Sequence, residues 1–79
     1  MTVDTFLPIQ RELTKAREKH PVFAENPEQG VMLVMEEALE LVRAVNDNES
    51  ADRMVEEACH IAVTAIRFIE LINQEQKAK

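Results

Sequence analysis

Apolar and polar positions follow the period of an α-helix in three separate segments of this chain. In the first segment, apolar residues recur every three or four positions and form one narrow stripe: Phe6, Ile9, Leu13 and Ala16. The second and third segments are apolar over a wider arc, and neither shows the strict alternation of a β-strand. The pattern therefore predicts helices at about residues 5–19, 27–45 and 50–73.

Capping residues support these boundaries. Asp4 or Thr5 can cap the first helix. The segment Asn26-Pro27-Glu28-Gln29 is typical of a helix start, with Asn as the N-cap, Pro at the first helical position and Gln reaching back. A short polar connection at 46–49 precedes Ser50, which can cap the third helix. A link of this length predicts that the second and third helices are antiparallel neighbours.

Length and composition agree with a single all-α domain spanning residues 1–79. The chain has one glycine, three prolines and no tryptophan or tyrosine, which favours helices and leaves few turn signals for a sheet. We expect Gly30 to occupy a place where a side chain does not fit. We also expect the polar tail from Gln74 onward to fray.

The charge balance narrows the classes of partner. A formal net charge of −6 argues against a nucleic-acid partner and against an anionic membrane surface. Phosphate substrates stay open, because bound divalent cations reverse the local sign of the field. The single Cys59 cannot form an intramolecular disulfide, and we expect it to be a small core residue. Nothing in the sequence resembles a signal peptide or a membrane span, so a cytoplasmic location is expected.

Two groups of ionisable residues lie on the second and third predicted helices: Glu36-Glu37-Ala38-Leu39-Glu40 and Glu57-Ala58-Cys59-His60. Helical projection places Glu37 and Glu57 inside the apolar arcs, with Glu40 and His60 at the boundaries. Counting outward from the turn brings Glu40 level with Glu57, and Glu37 level with His60. Burying these carboxylates without a cation would be costly. We therefore predict a shared metal site of Glu37, Glu40, Glu57 and His60, with an ordinary solvated surface as the alternative.

This arrangement resembles the MazG-like, all-α nucleoside triphosphate pyrophosphohydrolases. That family carries an E-E-x-x-E cluster, a spacer, and then E-x-x-D. Glu36, Glu37 and Glu40 match the first cluster, and Glu57 opens the second. His60 departs from the pattern, because the family has aspartate there. The resemblance covers the second and third helices, about residues 27–73.

The resemblance implies a helical-bundle dimer or tetramer that binds Mg²⁺ and hydrolyses a nucleoside triphosphate to the monophosphate and pyrophosphate. Carried over by position, Glu37, Glu40 and Glu57 hold the metal, His60 takes the place of the fourth ligand, and Glu37 and Glu40 are catalytic. Glu36 belongs to the rim. Imidazole binds Mg²⁺ poorly, so His60 leaves three alternatives. The site uses Mn²⁺ or another softer divalent metal, or His60 hydrogen-bonds a ligand or water and does not bind the metal, or the activity has been lost.

Two interpretations that assign the chain to other functional classes of protein remain open. Glu57-x-x-His60 is also the motif of di-iron carboxylate bundles, and a homodimer would complete such a ferritin-like site with Glu37 or Glu40. The chain could instead be a non-catalytic MazG-like helical partner that keeps the acidic scaffold.

The remaining expectations concern the interface and the substrate. The apolar arcs of helices two and three exceed what the first helix can cover, so we expect a homodimer or homotetramer with both helices at the interface. Lys15, Lys19 and Arg67 are either phosphate contacts or ordinary surface residues. His20 and Phe23 are either contacts of the nucleobase or simply part of a packed loop.

Overall fold

Three helices account for most of residues 4–78, the part of the chain that this computed structural model describes. They are α1 (Phe6–Lys19), α2 (Pro27–Asn46) and α3 (Ala51–Ala78). No strand occurs between residues 4 and 78, so the all-α prediction is confirmed for that range. The expected fraying from Gln74 is wrong as far as Ala78, because that segment consists of good helix formers and contains no glycine or proline to end the helix.

The starts of α1 and α2 are capped by side chains. The Asp4 carboxylate accepts the backbone N–H of Phe6 at 2.9 Å. At α2, the Asn26 side chain accepts the N–H of Gln29 at 2.8 Å, and the Gln29 side chain reaches back to accept the N–H of Glu25 at 2.7 Å. The bonds from Phe6 and Gln29 satisfy backbone donors that a helix leaves unpaired at its first turn, and the bond from Glu25 ties the preceding residue to α2.

A tight turn joins α2 to α3. Asn48 has a φ of 55°, a left-handed conformation that asparagine tolerates better than most residues. The N–H of Glu49 then donates to the carbonyl of Ala44 at 2.9 Å. The Ser50 hydroxyl accepts the N–H of Arg53 at 3.2 Å and caps α3 as the sequence predicts.

Helix α3 contacts both other helices, and it packs more extensively against α2 than against α1. The buried apolar side chains are small, which allows the backbones to approach closely: Ala24, Ala44, Cys59 and Val63. Cys59 is a free thiol within this core, in agreement with its predicted role.

Gly30 brings the start of α2 against two aromatic rings. A Cβ atom at this position would lie 3.0 Å from Cδ2 of Phe68 and 3.2 Å from Cε2 of Phe23. Both distances are tighter than ordinary van der Waals contact, so a side chain here would require the two rings to shift. Because Phe23 belongs to the α1–α2 loop, the glycine also lets that loop approach the start of α2 closely.

A row of large apolar side chains on α2 is left half-exposed, and we call it the α2 apolar face. Its members are 52–54% exposed and recur at intervals of three or four residues: Met35, Leu39, Val42 and Val45. On α3, Val55 and Ile69 are each 58% exposed. No helix within residues 4–78 is long and apolar enough to cross a membrane.

Candidate metal centre

Three side chains of the kind that bind metals meet between α2 and α3. Glu37 comes from α2, and Glu57 and His60 come from adjacent turns of α3. Each offers one ligand atom, and the three atoms lie within 4.8 Å of one another. The structure thus brings together three of the four residues that helical projection singles out.

Glu57 is the most deeply buried of the three. The residue is 2% exposed, and its Oε1 atom lies 2.9 Å from the guanidinium of Arg53, one turn earlier. Its Oε2 atom is buried and has no hydrogen-bond partner among the described residues. An unsatisfied buried oxygen of this kind is costly for a folded protein, and a bound cation would satisfy it. The donor set therefore fits a divalent metal.

His60 lies at the centre of three carboxylates. Its Nδ1 atom is 3.5 Å from Oε2 of Glu37 and 3.7 Å from Oε1 of Glu57. Its Nε2 atom faces the opposite way, 3.8 Å from Oε2 of Glu12 on α1. His60 is half-buried and belongs to the cluster.

Glu12 is a member of the site that the sequence analysis missed. By helical spacing it lies three residues after Ile9 and four before Ala16, at the edge of the apolar stripe of α1. That position was the available signal, since a residue at the edge of a packed stripe reaches the neighbouring helix. Which residue of α3 it would meet depends on the packing of the two helices.

Glu40 does not join the cluster. Its side chain is 47% exposed and lies 3.8 Å from Arg43, its neighbour one turn later. A boundary position leaves a glutamate free to turn toward solvent, and the nearby arginine favours that choice. Glu36, expected at the rim, is exposed.

The electrostatics of the cluster disfavour charge on Glu37. Burial raises the pKa of the Glu37 carboxyl, and the neighbouring Glu57, Glu40 and Glu36 raise it further. His60 opposes the shift by attracting the carboxylate, so it lowers that pKa in part. A cation in the cluster would remove the cause of the shift.

A cavity of about 570 Å³ opens beside the cluster, between α1, the α1–α2 loop, α2 and α3. Glu37 and His60 lie along one part of its wall, and Lys15 and Lys19 of α1 along another. Both candidate phosphate contacts on α1 thus line the same cavity as Glu37 and His60. His20 and Phe23 line it as well.

Arg67 also lines this cavity, but it is committed to holding the loop. The residue is only 7% exposed, and its guanidinium donates to the carbonyls of Ala16 at 3.3 Å, His20 at 2.6 Å and Pro21 at 3.4 Å. It also lies 5.5 Å from the centre of the Phe23 ring. Burial lowers the pKa of this guanidinium. The prediction that Arg67 is an ordinary surface residue is wrong, because the end of α1 and the following loop cover its guanidinium.

Comparison of the chain with protein-family models, with curated proteins and with solved structures gives no match. Two carboxylates and an imidazole can hold a divalent cation, and the adjoining cavity carries ammonium groups. This combination suits an anionic ligand that binds a cation.

Glu37→Gln tests the electrostatic cost of the cluster. In metal-free protein, the folded-state pKa of Glu37 lies above its usual 4.5, so ionisation lowers the free energy of unfolding as pH rises through the folded value. The variant cannot ionise at this position, so its free energy of unfolding should exceed that of wild type at neutral pH. The two free energies should become equal below pH 4.5. Urea unfolding in EDTA, followed by circular dichroism, measures the free energy of unfolding of wild type and variant at each pH.

Glu36→Gln is the matched control, because it removes an exposed charge beside the same position. Excess Zn²⁺ or Mn²⁺ should make wild type more stable than Glu37→Gln, because the metal stabilises wild type alone. Loss of stability in metal-free Glu37→Gln at neutral pH, compared with the control, would contradict the account.

Proposed function

We propose that this chain hydrolyses a nucleoside triphosphate to the monophosphate and pyrophosphate with a bound divalent metal, as the MazG-like enzymes do. One observation carries the proposal. The cluster of Glu37, Glu57 and His60 lines or adjoins a cavity whose wall also carries Lys15 and Lys19. A cavity lined by both candidate metal ligands and lysine ammonium groups suits a substrate that is itself a metal-binding polyanion, although Lys15 also lies 3.5 Å from Glu12 in the same lining.

Within the proposal, Glu37, Glu57 and His60 hold the metal. Arg53 fixes one oxygen of Glu57, so that carboxylate needs little reorganisation to bind. Glu40 stays a residue of the E-E-x-x-E motif without a place among these ligands, because its carboxylate lies near Arg43. When bound, a divalent cation offsets the charge of the phosphate oxygens and assists water in attacking phosphorus.

The rest of the cavity would position the substrate. Lys15 and Lys19 lie one turn apart on α1 and can contact the phosphates as flexible point charges. Arg67 holds the loop that presents Phe23, whose ring can stack on a nucleobase. In the reaction a bond forms between water and the α-phosphorus, while the bond from that phosphorus to the pyrophosphate oxygen breaks. A reducing, cytoplasmic setting remains the expected location.

We further propose that α2 and α3 form an antiparallel pair and that a second copy covers the α2 apolar face. Two contacts support the antiparallel pair: Gly30, near the start of α2, meets Phe68, and Glu37, nearer the turn, meets His60. The exposed face supports the assembly, since a row of half-exposed Met, Leu and Val side chains is unfavourable in water. A homodimer or homotetramer would bury it.

A di-iron protein is the second candidate, and one observation favours it. Glu57 and His60 both turn into the cluster beside Glu37, which supplies half of a di-iron ligand set. The lysines on the cavity wall favour the pyrophosphohydrolase, because iron oxidation has no use for an anion-binding wall.

The activity is tested by incubating the protein with mixed NTPs and dNTPs plus Mg²⁺ or Mn²⁺ and separating the products. We expect nucleoside monophosphate and pyrophosphate in equal amounts. Glu37→Gln should lower the rate by about 100-fold or more, because it removes a charged metal ligand. Glu36→Gln, next to it and exposed, should stay within about threefold of wild type.

Other outcomes of the same assay decide against the proposal. Nucleoside diphosphate with inorganic phosphate would indicate a different reaction. No turnover with any metal, together with Fe²⁺ binding and oxygen consumption, would favour the di-iron protein. No turnover and no metal binding would favour a non-catalytic helical partner.

The assembly is tested by sedimentation of wild type and Leu39→Glu. We expect wild type to sediment as a dimer or tetramer at micromolar concentration, and the variant as a monomer, because a charge at the α2 apolar face opposes burial. Val22→Glu is the control, since Val22 is 72% exposed in the α1–α2 loop and lies outside that face. A monomeric wild-type protein would contradict the proposed assembly.

A further inference from the structure

The two nitrogens of His60 face different surroundings. Nδ1 points toward the metal-ligand cluster, with Glu37 at 3.5 Å and Glu57 at 3.7 Å. Nε2 points toward α1, where Oε2 of Glu12 lies 3.8 Å away. The imidazole thus lies between a pair of carboxylates on one side and a single carboxylate from another helix on the other.

This division matters because an imidazole binds a metal through one neutral nitrogen and keeps its proton on the other. The second nitrogen commonly donates to a carboxylate, which fixes the tautomer and the ring orientation and makes the ligating nitrogen more basic. Glu12 is the carboxylate placed for that role, since it is the acidic group that faces Nε2. A small change of its side-chain torsions would shorten the contact to about 2.8 Å.

Glu12 is itself partly held in place. Its Oε1 atom lies 3.5 Å from the ammonium of Lys15, one turn later on α1. Its Oε2 atom is left for His60. The two oxygens thus have separate partners, and the lysine does not compete for the oxygen that faces the histidine.

The cluster has independent evidence of a missing partner. Oε2 of Glu57 is buried without a hydrogen bond from any described residue. An imidazolium at His60 does not satisfy this atom, since Nδ1 lies nearer to Oε1. Because ligand atoms of Glu37, Glu57 and His60 lie within 4.8 Å of one another, a cation bound among them would contact the imidazole and offset the cost of the buried Glu57 carboxylate.

We propose that Glu12 is a positioning residue that orients His60, so that Nδ1 binds the metal, Nε2–H donates to Glu12, and the site takes a transition-metal divalent cation in preference to Mg²⁺. The inference rests on the metal site of the proposed function and not on its reaction. An imidazole ligand strengthens binding of Mn²⁺, Fe²⁺, Co²⁺ or Zn²⁺ much more than that of Mg²⁺, which prefers oxygen. Glu12 belongs to α1, and the metal ligands belong to α2 and α3. The preference for a transition metal therefore depends on how all three helices pack together.

The test measures the affinity of the full chain for Zn²⁺ and for Mg²⁺ by competition with an indicator. Glu12→Ala should weaken Zn²⁺ binding by about tenfold or more and Mg²⁺ binding by less than about threefold. Glu18→Ala removes the same charge from an exposed position on the same helix and should change neither affinity by more than about twofold. Glu12→Gln keeps a hydrogen-bond acceptor without the charge and should recover part of the Zn²⁺ affinity.

Circular dichroism checks that each variant remains folded, and the partial exposure of Glu12 favours that result. A double-variant comparison then isolates the histidine. In a His60→Asp background, Glu12→Ala should no longer discriminate between Zn²⁺ and Mg²⁺, since the imidazole through which Glu12 acts is gone. Equal losses of Zn²⁺ and Mg²⁺ affinity in Glu12→Ala, or no loss relative to Glu18→Ala, would overturn the proposal.

Nitrogen-15 NMR gives a readout that a merely structural role for Glu12 would not move. The chain has two histidines, so His20 serves as an internal reference. With Zn²⁺ bound, His60 should show a metal-bound Nδ1 and a protonated Nε2, and His20 should be unchanged. Metal on Nε2, or no change at His60, would refute the proposal. If these results hold and no pyrophosphate is released, the proposed function fails while the role of Glu12 stands.

Discussion

The buried carboxylate of Glu57 is the constraint on which the site depends. Placing this group at 2% exposure costs free energy, and Arg53 offsets that cost at only one of its two oxygens. Glu37 adds a second carboxylate nearby, whose pKa is raised because burial disfavours its charge. A fold selected for stability alone has no reason to gather these groups. A cation bound at the cluster would offset these costs.

The surrounding helices leave this cluster beside an open cavity. Small buried side chains and Gly30 let α2 and α3 approach closely, which places Glu37 against Glu57 and His60. On the other side, Arg67 ties the end of α1 and the following loop to α3 through three backbone carbonyls. That tie keeps the lysine-bearing face of α1 over the cavity. Arg67 is thus a buried charge that both stabilises the loop and lines the cavity.

The sequence predicts the local structure well where the signal is local. Asn26 and Ser50 cap their helices as expected, because the capping bond reaches only three residues along the chain. The convergence of Glu37, Glu57 and His60 is also predicted, since helical projection and one short turn determine which side chains meet. Contacts that depend on how helices distant in sequence pack together are not predicted by the sequence pattern.

Glu12 and Glu40 show why. Glu12 reaches the site because α1 packs against α3 at one particular angle, and the spacing within α1 does not determine that angle. Glu40 was expected as a ligand, but its side chain is 47% exposed and lies 3.8 Å from Arg43, because a boundary position does not determine whether a side chain turns to the site or to solvent. The end of α3 was missed for a different reason: polar residues with high helix propensity continue a helix as readily as they fray it.

We propose that Glu37, Glu57 and His60 together bind a divalent cation. Crystals grown with Zn²⁺ and measured on both sides of the zinc absorption edge test it most directly. The account predicts an anomalous peak in contact with both carboxylates and with the imidazole. A zinc peak elsewhere with this cluster empty, or a protein donor paired with the buried oxygen of Glu57, would contradict it.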